Sequence, residues 1–450
     1  MHRLLITVLV ATCCGAASVA AQGLSGGRPL VSPGTSGGKQ CAKVIVLTKE
    51  HVPASLLCSQ AGCVLLAGNA TNGMYLFESA EPISPLQFEA FADKVSKLPG
   101  VVSSELLQPT GLPEIESCGM PVDVAGQQCT VAFADATPSQ GEFQGQQALG
   151  LIGFGWAQNL SEHKPVLVAV IDTGIDATHP ALAGHVADGG WDFLTGTPGA
   201  LDVSDGLDGD GDRLVDEAHG HGTHIASVIV LVNPDVRILP LRVLDADGVG
   251  NSYDVAEAIL YAVDHGAQII NLSLSMKQPS NAVAMALEYA ALMGVSVFAS
   301  AGNTGKKQVL FPASYDPRTF DLDVPLLPPG WTPGADCVTA VAASNAFGKK
   351  ADFSGWGTMV DLVAPGIDVY GAMPGGGYAW WSGTSMSTAV ASGVASLVLS
   401  IGGTDMPVSA QNVIKQTAKP IDQFNPAYKG GLGKGFVDAW DAAKEAKKYD

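Results

Sequence analysis

Basic side chains are scarce in this sequence. Lys and Arg number 24 against 43 Asp and Glu, and charged residues make up only 15% of the 450 residues. The formal net charge of -19 argues against nucleic acid or an anionic membrane as the main partner, since both attract cationic surfaces. Hydrophobic residues make up 47% of the chain, which is an ordinary globular composition with enough apolar side chains for a large core.

Several familiar motifs are also absent. Beyond the N-terminus no run of about 18 apolar residues is uninterrupted, so we expect no membrane span. The run from Ala389 to Ile401 is broken by Ser and Gly and is more typical of a buried helix. No four cysteines have the spacing of a zinc site, and no Walker loop occurs. The sequence therefore predicts neither a structural zinc site nor a nucleotide cofactor.

The N-terminal residues 1–21 have the layout of a secretory signal peptide. One Arg precedes the apolar run Leu4–Val10, and small residues follow up to Ala21. This order predicts cleavage near Ala21 and a secreted protein. The alternative is a lipid anchor on Cys13 or Cys14, after the same short apolar run.

The cysteine count is compatible with an oxidising compartment. The signal peptide would remove Cys13 and Cys14 of the eight cysteines, and an even number would remain. Cys58 with Cys63 and Cys118 with Cys129 are the natural local disulfide pairs, but sequence does not fix the pairing. The remaining cysteines are Cys41, Cys58, Cys63, Cys118, Cys129 and Cys337.

Composition divides the rest of the chain into four parts. Residues 22–40 are rich in Gly, Ser and Pro and predict a flexible linker. Residues 41–110 contain strand-like KVIVLT, GMYLFES and VVSSELL around a helix that starts at Ser84-Pro85, which predicts a small α+β domain with a βαββ-type pattern. Residues 111–145 are an irregular connector, and residues 146–450 form the main domain.

The main domain alternates short apolar strands with helices. VLVAVID, VRILPLRVL, AQIINLSLS and VSVFASAGN have the strand pattern, and helix-like segments separate them. This alternation predicts an α/β fold with a doubly wound, mainly parallel sheet flanked by helices. Ligands of such sheets bind beyond the carboxyl ends of the strands.

Four polar residues follow strands or open helices at that predicted rim. Asp172 ends VLVAVI, His221 opens HGTHIAS, Asn303 follows VFASAG, and Ser385 lies in GTSMS. Each alone has an ordinary explanation as a cap or turn residue. Together they supply an acid, a base, an amide donor and a nucleophile, and the order Asp, His, Ser is one of the known orders of a hydrolytic triad.

These motifs resemble those of the subtilisin-like serine proteases, the subtilases. VAVIDTGID, HGTHIAS, NLSLS, SAGN, VAPG and GTSM run from about Val166 to the C-terminus with family-like spacing. The resemblance implies a serine endopeptidase in which His221 is the base for Ser385 and Asp172 orients the imidazole. Asn303 and the backbone N–H of Ser385 would bind the oxyanion.

The resemblance also implies where a protein or peptide substrate binds. In the family, the peptide pairs as an extended strand between two enzyme segments. The wall of the first specificity pocket follows the strand VSVFAS, with Leu310 at its base. The matching residues are Gly248, Val249 and Gly250 on one edge, Ser273, Leu274 and Ser275 on the other, and Ser300, Ala301 and Gly302 in the wall.

The small domain at 41–110 resembles the propeptide of the family. Such a domain assists folding and inhibits the enzyme until it is removed, so we expect a zymogen whose own propeptide is an intramolecular inhibitor. The cut is expected within residues 108–145. A stand-alone binding domain is the alternative.

An acidic loop precedes His221. In DGDGDRLVDE, carboxylates occupy positions 1, 3, 5 and 9 of a Ca²⁺-loop pattern, and a backbone carbonyl is offered at position 7. Arg213 replaces the usual Gly at position 6, and position 12 has no Glu. We expect a structural Ca²⁺, with a solvated acidic turn as the alternative. The expected ligands are Asp208, Asp210, Asp212, Leu214 and Asp216.

Two other function classes remain open. One is a catalytically silent binding or scaffold protein on the same fold, which the four filled catalytic positions disfavour. The other is an acyl hydrolase acting on non-peptide esters, which the two predicted strand-pairing edges disfavour. In every case we expect a monomer.

Overall fold

The computed structural model describes residues 39–49, 52–69, 72–113, 132–133, 140–212, 214–317, 337–406 and 408–450. Its strands are β1 (Lys43–Thr48), β2 (Cys63–Asn69), β3 (Met74–Ser79), β4 (Val101–Leu106), β5 (Pro109–Gly111), β6 (Ala132–Phe133), β7 (Val166–Asp172), β8 (Trp191–Asp192), β9 (Thr197–Pro198), β10 (Val236–Arg242), β11 (Val249–Asn251), β12 (Ile269–Leu272), β13 (Ser296–Ser300), β14 (Thr339–Ser344), β15 (Leu362–Pro365), β16 (Val369–Met373) and β17 (Gly377–Trp381). Its helices are α1 (Ala54–Ala61), α2 (Phe88–Ser96), α3 (Gln140–Gln144), α4 (Gln147–Gly150), α5 (Phe154–Gln158), α6 (His221–Val232), α7 (Ser252–Asp264), α8 (Asn281–Leu292), α9 (Thr384–Gly402), α10 (Ala410–Thr417) and α11 (Ala439–Ala446). Single 3₁₀ turns occur at Pro85–Gln87 and Pro426–Tyr428.

Residues 39–113, here called the leading unit, contain one antiparallel sheet in the order β2-β3-β1-β4. Alternate side chains of β1 point to opposite faces, and Val44 and Val46 pack on α1 and α2 in a small core. The predicted helix start at Ser84-Pro85 is a 3₁₀ turn that leads into α2 at Phe88, and the Ser84 N–H donates to the Gln87 side chain at 3.1 Å.

The sequence missed α1 and β2, so the expected βαββ-type pattern is wrong and the order is βαββαβ. β2 lies at the sheet edge, and its Val64 and Leu65 are 52% and 45% exposed. An edge strand with apolar side chains in solvent lacks the alternation that identifies a half-buried strand. In α1 only Leu57 and Ala61 are buried, so its apolar face is too narrow to signal a helix.

The main sheet has eight strands in the order β15-β14-β13-β12-β7-β10-β8-β9. Its neighbouring strands are parallel except β8 and β9, which pair antiparallel. Val166, Val168 and Val170 pack toward α6 and α9, whereas Ala169 and Ile171 pack toward α7 and α8. The predicted α/β fold with a doubly wound, mainly parallel sheet is therefore confirmed.

Within the described residues, α9 is the one helix long and apolar enough to cross a membrane by length and composition. Its apolar window is 94% buried inside the protein. Gly393 of α9 lies against Val232 of α6, where an added Cβ would meet the valine side chain at 2.8 Å. This close packing identifies α9 as the core helix beneath the sheet.

The leading unit covers helices α7 and α8. Ile45, Leu47, Met74 and Leu76 join the apolar core that these two helices form with the main sheet. At the rim, Glu105 accepts hydrogen bonds from the hydroxyl of Ser280 and from backbone N–H groups at the start of α8. A carboxylate at a helix N-terminus satisfies N–H groups that the helix leaves unpaired, so Glu105 caps α8 from the leading unit.

Candidate active site

The strand β7 and the helix α6 bring Asp172 and His221 together. Asp172 is the last residue of β7 and His221 the first of α6. The His221 Nδ1 lies 2.7 Å from Asp172 Oδ1, and both side chains are fully buried. A second donor to the same oxygen is the N–H of Thr173, at 2.8 Å. This geometry holds the tautomer with the proton on Nδ1, which leaves Nε2 as the basic nitrogen.

Ser385 lies in the first turn of α9, and its hydroxyl is buried. Ser385 Oγ donates to the carbonyl of Ser273 at 3.1 Å, and Ser273 Oγ donates to the carbonyl of Ser385 at 3.0 Å. These two hydrogen bonds join the start of α9 to the end of β12. They place the candidate nucleophile beside one of the two predicted substrate-binding edges.

Asn303 follows β13 and is 3% exposed. Its side-chain oxygen accepts from the N–H and the hydroxyl of Thr384, at 3.0 and 2.9 Å. Its Nδ2 is buried, and no acceptor in the described part of the chain is within hydrogen-bond distance of it. A buried amide donor with no acceptor is costly in a folded protein, so this group points to a ligand that accepts a hydrogen bond.

A second histidine lies one helical turn after His221. His224 Nε2 is 3.1 Å from the carbonyl of Val369, and burial lowers the pKa of this imidazole to about 3. The ring of Trp381 packs edge-on against both His221 and His224, at centroid distances of 5.1 and 5.7 Å. His224 therefore stays neutral and contributes to packing beneath the site.

The two predicted substrate edges are occupied by a strand of the protein itself. β5 pairs antiparallel with β11, with Gly111 opposite Val249 and Thr110 opposite Gly250. On the other side, Gly111 N–H donates to the Ser275 carbonyl at 3.0 Å and Ser275 N–H donates back at 2.8 Å. β5 therefore lies between the edges that the sequence assigned to substrate.

The pairing continues one residue further along the leading unit. The N–H of Leu112 donates to the carbonyl of Gly248 at 3.3 Å, and the Leu112 side chain is fully buried. Within the second edge, the carbonyl of Leu274 accepts a hydrogen bond from Ser300 Oγ at 3.0 Å. The structure thus brings Gly248, Val249, Gly250, Ser273, Leu274 and Ser275 into one cleft.

The predicted wall of the first pocket follows β13. Ser300 and Ala301 are fully buried, and Ala301 accepts from the N–H of Leu310 at 3.0 Å. Gly302 has φ +92°, and an added Cβ there would meet the Leu310 side chain at 2.7 Å. Leu310 therefore packs directly against this wall, as expected.

The acidic loop gathers three of its four predicted carboxylate ligands. Ligand atoms of Asp208, Asp210 and Asp212 lie within 4.8 Å of one another. Burial and the charges of Asp212, Asp247 and Asp208 raise the pKa of Asp210. Oxygen donors crowded in this way fit a hard cation such as Ca²⁺.

Asp216 has a different set of contacts. Its Oδ1 accepts from the N–H groups of Asp205 and Gly206 at 2.9 and 3.1 Å, and it is not among the three clustered carboxylates. Leu214 donates its N–H to Asp212 at 2.7 Å.

The expected local disulfide is not formed. Cys58 and Cys63 carry unbonded thiols, and burial together with the neighbouring Cys58 raises the pKa of Cys63 to about 12. Cys118 and Cys129 lie outside the described residues.

Comparison with known proteins agrees with this geometry. The profile of the subtilase family matches residues 163–435. Thermitase of Thermoactinomyces vulgaris is 33% identical over 298 residues, which cover 64% of this chain and 92% of thermitase. This chain belongs to the subtilase family. The predicted enzyme class, a subtilisin-like serine endopeptidase, is thereby confirmed at the level of the family.

Two other similar proteins are matched over less than two thirds of their own length. Thermophilic serine proteinase of Bacillus sp. (strain AK1) is 36% identical over 274 residues, and the match spans 59% of each chain. The crystal structure of fervidolysin from Fervidobacterium pennivorans, described as a keratinolytic enzyme related to subtilisin, matches with a TM-score of 0.66 and 21% identity. That match covers 92% of this subtilase and 62% of fervidolysin, and it supports the fold.

Two features of the subtilase site were not predicted from sequence. The segment Pro109–Gly111 was assigned in part to an irregular connector, although it pairs on both sides in the cleft. Asp202 was not assigned at all, although four hydrogen bonds converge on its carboxylate. The only available signal for β5 was its position directly after β4; Asp202 has no motif of its own.

Proposed function

We propose that this subtilase is a serine endopeptidase that uses Asp172, His221 and Ser385 for catalysis. The single observation that carries the proposal is the fully buried 2.7 Å contact between His221 Nδ1 and Asp172 Oδ1. Burial of an ionisable pair costs folding free energy through desolvation, and such pairs are concentrated at functional sites. The candidate nucleophile Ser385 at the start of α9 and the amide donor of Asn303 after β13, which is unpaired within the described residues, are consistent with a catalytic role for the pair.

Peptide-bond cleavage would proceed in two halves. Ser385 Oγ attacks the carbonyl carbon of the substrate as His221 Nε2 accepts the hydroxyl proton, and Asp172 stabilises the imidazolium. The tetrahedral oxyanion accepts hydrogen bonds from Asn303 Nδ2 and the Ser385 N–H. Collapse breaks the C–N bond, and the imidazolium gives its proton to the leaving amine. Water then attacks the acyl-enzyme by the same sequence of proton transfers.

Protein or peptide is the substrate class that the cleft supports. The contacts of β5 with Ser275 and with β11 are main-chain hydrogen bonds. Main-chain pairing binds any extended peptide, whereas side-chain pockets select among sequences. A small ester has no main chain that could pair in this way, so we prefer a peptide substrate over a non-peptide ester.

The leading unit is proposed to be the propeptide of this enzyme and its intramolecular inhibitor. Three observations support this role: β5 lies in the cleft, the sheet of the leading unit packs on α7 and α8, and Glu105 caps α8. Removal would require a cut within residues 108–145. We place residues 41–110 as the propeptide domain and 146–450 as the catalytic domain.

The acidic loop is proposed to bind a structural Ca²⁺. The carboxylates of Asp208, Asp210 and Asp212 and the carbonyl of Leu214 would hold it, whereas Asp216 uses its Oδ1 for backbone N–H groups. A bound cation would offset the repulsion among these carboxylates and tie the loop that precedes His221.

Export is proposed from the N-terminal segment. Residues 1–21 lie outside the described residues, and their order of one Arg, an apolar run and small residues supports a signal peptide. N-terminal sequencing of the exported chain tests this assignment. A lipid on Cys13 or Cys14 would instead appear as an added mass on a chain that begins at that cysteine.

The activity is tested with a quenched-fluorescent protein substrate. We expect the processed wild-type enzyme to hydrolyse it and the Ser385→Ala variant to be inactive and to retain its leading unit. Hydrolysis of a small ester without hydrolysis of protein would favour the acyl hydrolase. Activity in neither assay, from correctly folded protein, would favour the silent scaffold.

A further inference from the structure

Asp202 is a buried carboxylate, 6% exposed, in the loop that precedes the acidic loop. It accepts hydrogen bonds from the N–H of Gly220 at 3.0 Å and from the N–H and hydroxyl of Thr223 at 3.2 and 2.6 Å. The hydroxyl of Thr173 donates to it at 3.3 Å. A buried carboxylate with four donors is a strong local constraint on the groups around it.

The first effect of this carboxylate is on the helix that carries His221. The N-cap of α6 is Gly220, which has no side chain to accept from the first N–H groups of the helix. Asp202 supplies that acceptor from a separate loop. Its position near the N-terminal end of α6 is also favourable for a negative charge.

The second effect is on the strand end that carries Asp172. Thr173 Oγ1 donates to Asp202 and accepts from the N–H of Gly222 at 2.9 Å. The N–H of Thr173 donates to Asp172 Oδ1 at 2.8 Å. Asp202 thus contacts both segments whose ends meet in the hydrogen bond between Asp172 and His221.

The loop that carries Asp202 is itself fixed by close backbone packing. Ile175 N–H donates to the Ala200 carbonyl at 2.8 Å, and Asp202 N–H donates to the Ile175 carbonyl at 3.3 Å. Gly174 has φ +103°, and an added Cβ there would meet the Leu201 carbonyl carbon at 2.6 Å. The absence of a side chain at Gly174 allows this approach.

We propose that Asp202 is a positioning residue for the catalytic pair, holding the start of α6 and the end of β7 at the separation that His221 and Asp172 require. The proposal rests on the proposed function. Without the carboxylate, the N–H groups of Gly220 and Thr223 lose their acceptor and the imidazole can shift. A displacement of a fraction of an ångström slows the chemical step. In the part of the chain that the structure describes, the hydrogen bonds to the Asp202 carboxylate come from Thr173, Gly220 and Thr223 and not from the substrate edges, so we expect substrate binding to be preserved.

The test compares Asp202→Ala with Asp438→Ala. Asp438 caps α11 by accepting from the Asp441 N–H at 2.7 Å, so the second variant also loses a capping carboxylate but at a helix without catalytic residues. Each chain is processed with a trace of wild-type enzyme, and active sites are titrated with a fluorophosphonate. We expect kcat per titrated site to fall about 10- to 100-fold in Asp202→Ala, with KM within about twofold of wild type. We expect Asp438→Ala to keep the wild-type kcat and to differ from wild type only by a lower melting temperature.

A second pair of variants decides the question if Asp202→Ala does not fold. Thr223→Val removes the hydroxyl that donates to Asp202, whereas Thr223→Ser retains it. We expect a lower kcat in the first and near wild-type kcat in the second, and no further loss in kcat when Thr223→Val is added to Asp202→Asn. The proposal alone would be overturned by any of three results. These are a wild-type kcat in Asp202→Ala, an equal loss of kcat in Asp202→Ala and Asp438→Ala, or an equal kcat in the two Thr223 variants. A wild-type enzyme that does not react with the fluorophosphonate would overturn the proposed function as well.

Discussion

The side-chain oxygen of Asn303 accepts two hydrogen bonds from Thr384, one from its N–H and one from its hydroxyl, at 3.0 and 2.9 Å. Both donors use the same amide oxygen, so the orientation of the amide is fixed and Nδ2 points the other way. The residue after Thr384 is Ser385, whose hydroxyl lies at the carbonyl of Ser273. These two hydrogen bonds therefore orient the candidate oxyanion donor, Asn303 Nδ2, and also position the turn that carries the candidate nucleophile.

Substitution Asn303→Ala removes this donor. We expect kcat to fall about 10²- to 10³-fold, a magnitude that is known from subtilisin itself, with KM little changed because the amide serves the transition state rather than the bound substrate. Steady-state kinetics on a peptide substrate check the result. A matched control is Asn345→Ala, whose amide oxygen caps a turn at Phe347 and Lys349. A large rise in KM at unchanged kcat would contradict the assigned role.

Because β5 occupies the cleft, we expect the leading unit to slow the reaction of Ser385 with a fluorophosphonate. Gly111→Pro removes the N–H that donates to Ser275, whereas Gly111→Ala retains it. Loss of one hydrogen bond in a buried pair costs about 1 kcal/mol, or roughly a factor of five, and the proline ring also crowds the strand. We expect fluorophosphonate to label the freshly purified full chain at least about fivefold faster in Gly111→Pro. Equal rates in the two variants would show that β5 does not block the cleft.

Docking of the leading unit is predicted to weaken as pH rises. Glu257 of α7 accepts a hydrogen bond from Asn72 of the leading unit at 3.3 Å. Burial raises the pKa of Glu257 from 4.5 to about 7, and the hydrogen bond from Asn72 offsets only part of that rise. The docked state therefore binds more protons than the undocked state between these two pH values, and docking is lost progressively up to about pH 7 and is constant above it.

Gel filtration of the cleaved complex at about pH 5 and about pH 8 measures this linkage. We expect the leading unit to remain bound at the lower pH and to separate at the higher one. Glu257→Gln, which keeps a neutral side chain at both values, should reduce the difference. Tighter binding at the higher pH would contradict the assignment, because the sign follows directly from the raised pKa.

A chelator is expected to destabilise the protein through the acidic loop. When the free cation concentration is about 100 times the Kd, binding adds about 2.7 kcal/mol to the free energy of unfolding. This corresponds to an increase of several degrees in melting temperature. Asp210→Asn should abolish the shift. Asp405→Asn, a change at an exposed aspartate away from the cluster, should retain it. An identical melting temperature with and without chelator in the wild type would favour the solvated turn.

The main sheet and the positions of the catalytic residues could be predicted because they rest on local signals. Continuous apolar strands such as β7 end in polar residues, and parallel strands place those ends on one edge. Asp172 ends β7 and Asn303 follows β13, whereas His221 and Ser385 lie at the starts of helices α6 and α9 in recognisable motifs. The fold class and the candidate site therefore depend on short segments whose pattern is visible along the chain.

The remaining features depend on contacts between distant segments or on a single backbone angle. Asp216 has φ +57°, and its carboxylate accepts from the N–H groups of Asp205 and Gly206, contacts that its position in the loop pattern did not indicate. β5 gains its pairing from β11 and Ser275, which lie far along the chain. Asp202 accepts hydrogen bonds from residues of two other segments, the end of β7 and the start of α6, and no spacing in the sequence indicates this convergence.

The central claim is that Ser385 is a nucleophile activated by His221 and blocked by the leading unit until processing. Intact mass spectrometry before and after treatment with a fluorophosphonate, on wild type beside Ser385→Ala, tests it most directly. We expect a truncated wild-type chain with one adduct, and a full-length Ser385→Ala chain without an adduct. A folded, calcium-loaded wild-type chain that is neither truncated nor labelled would contradict it.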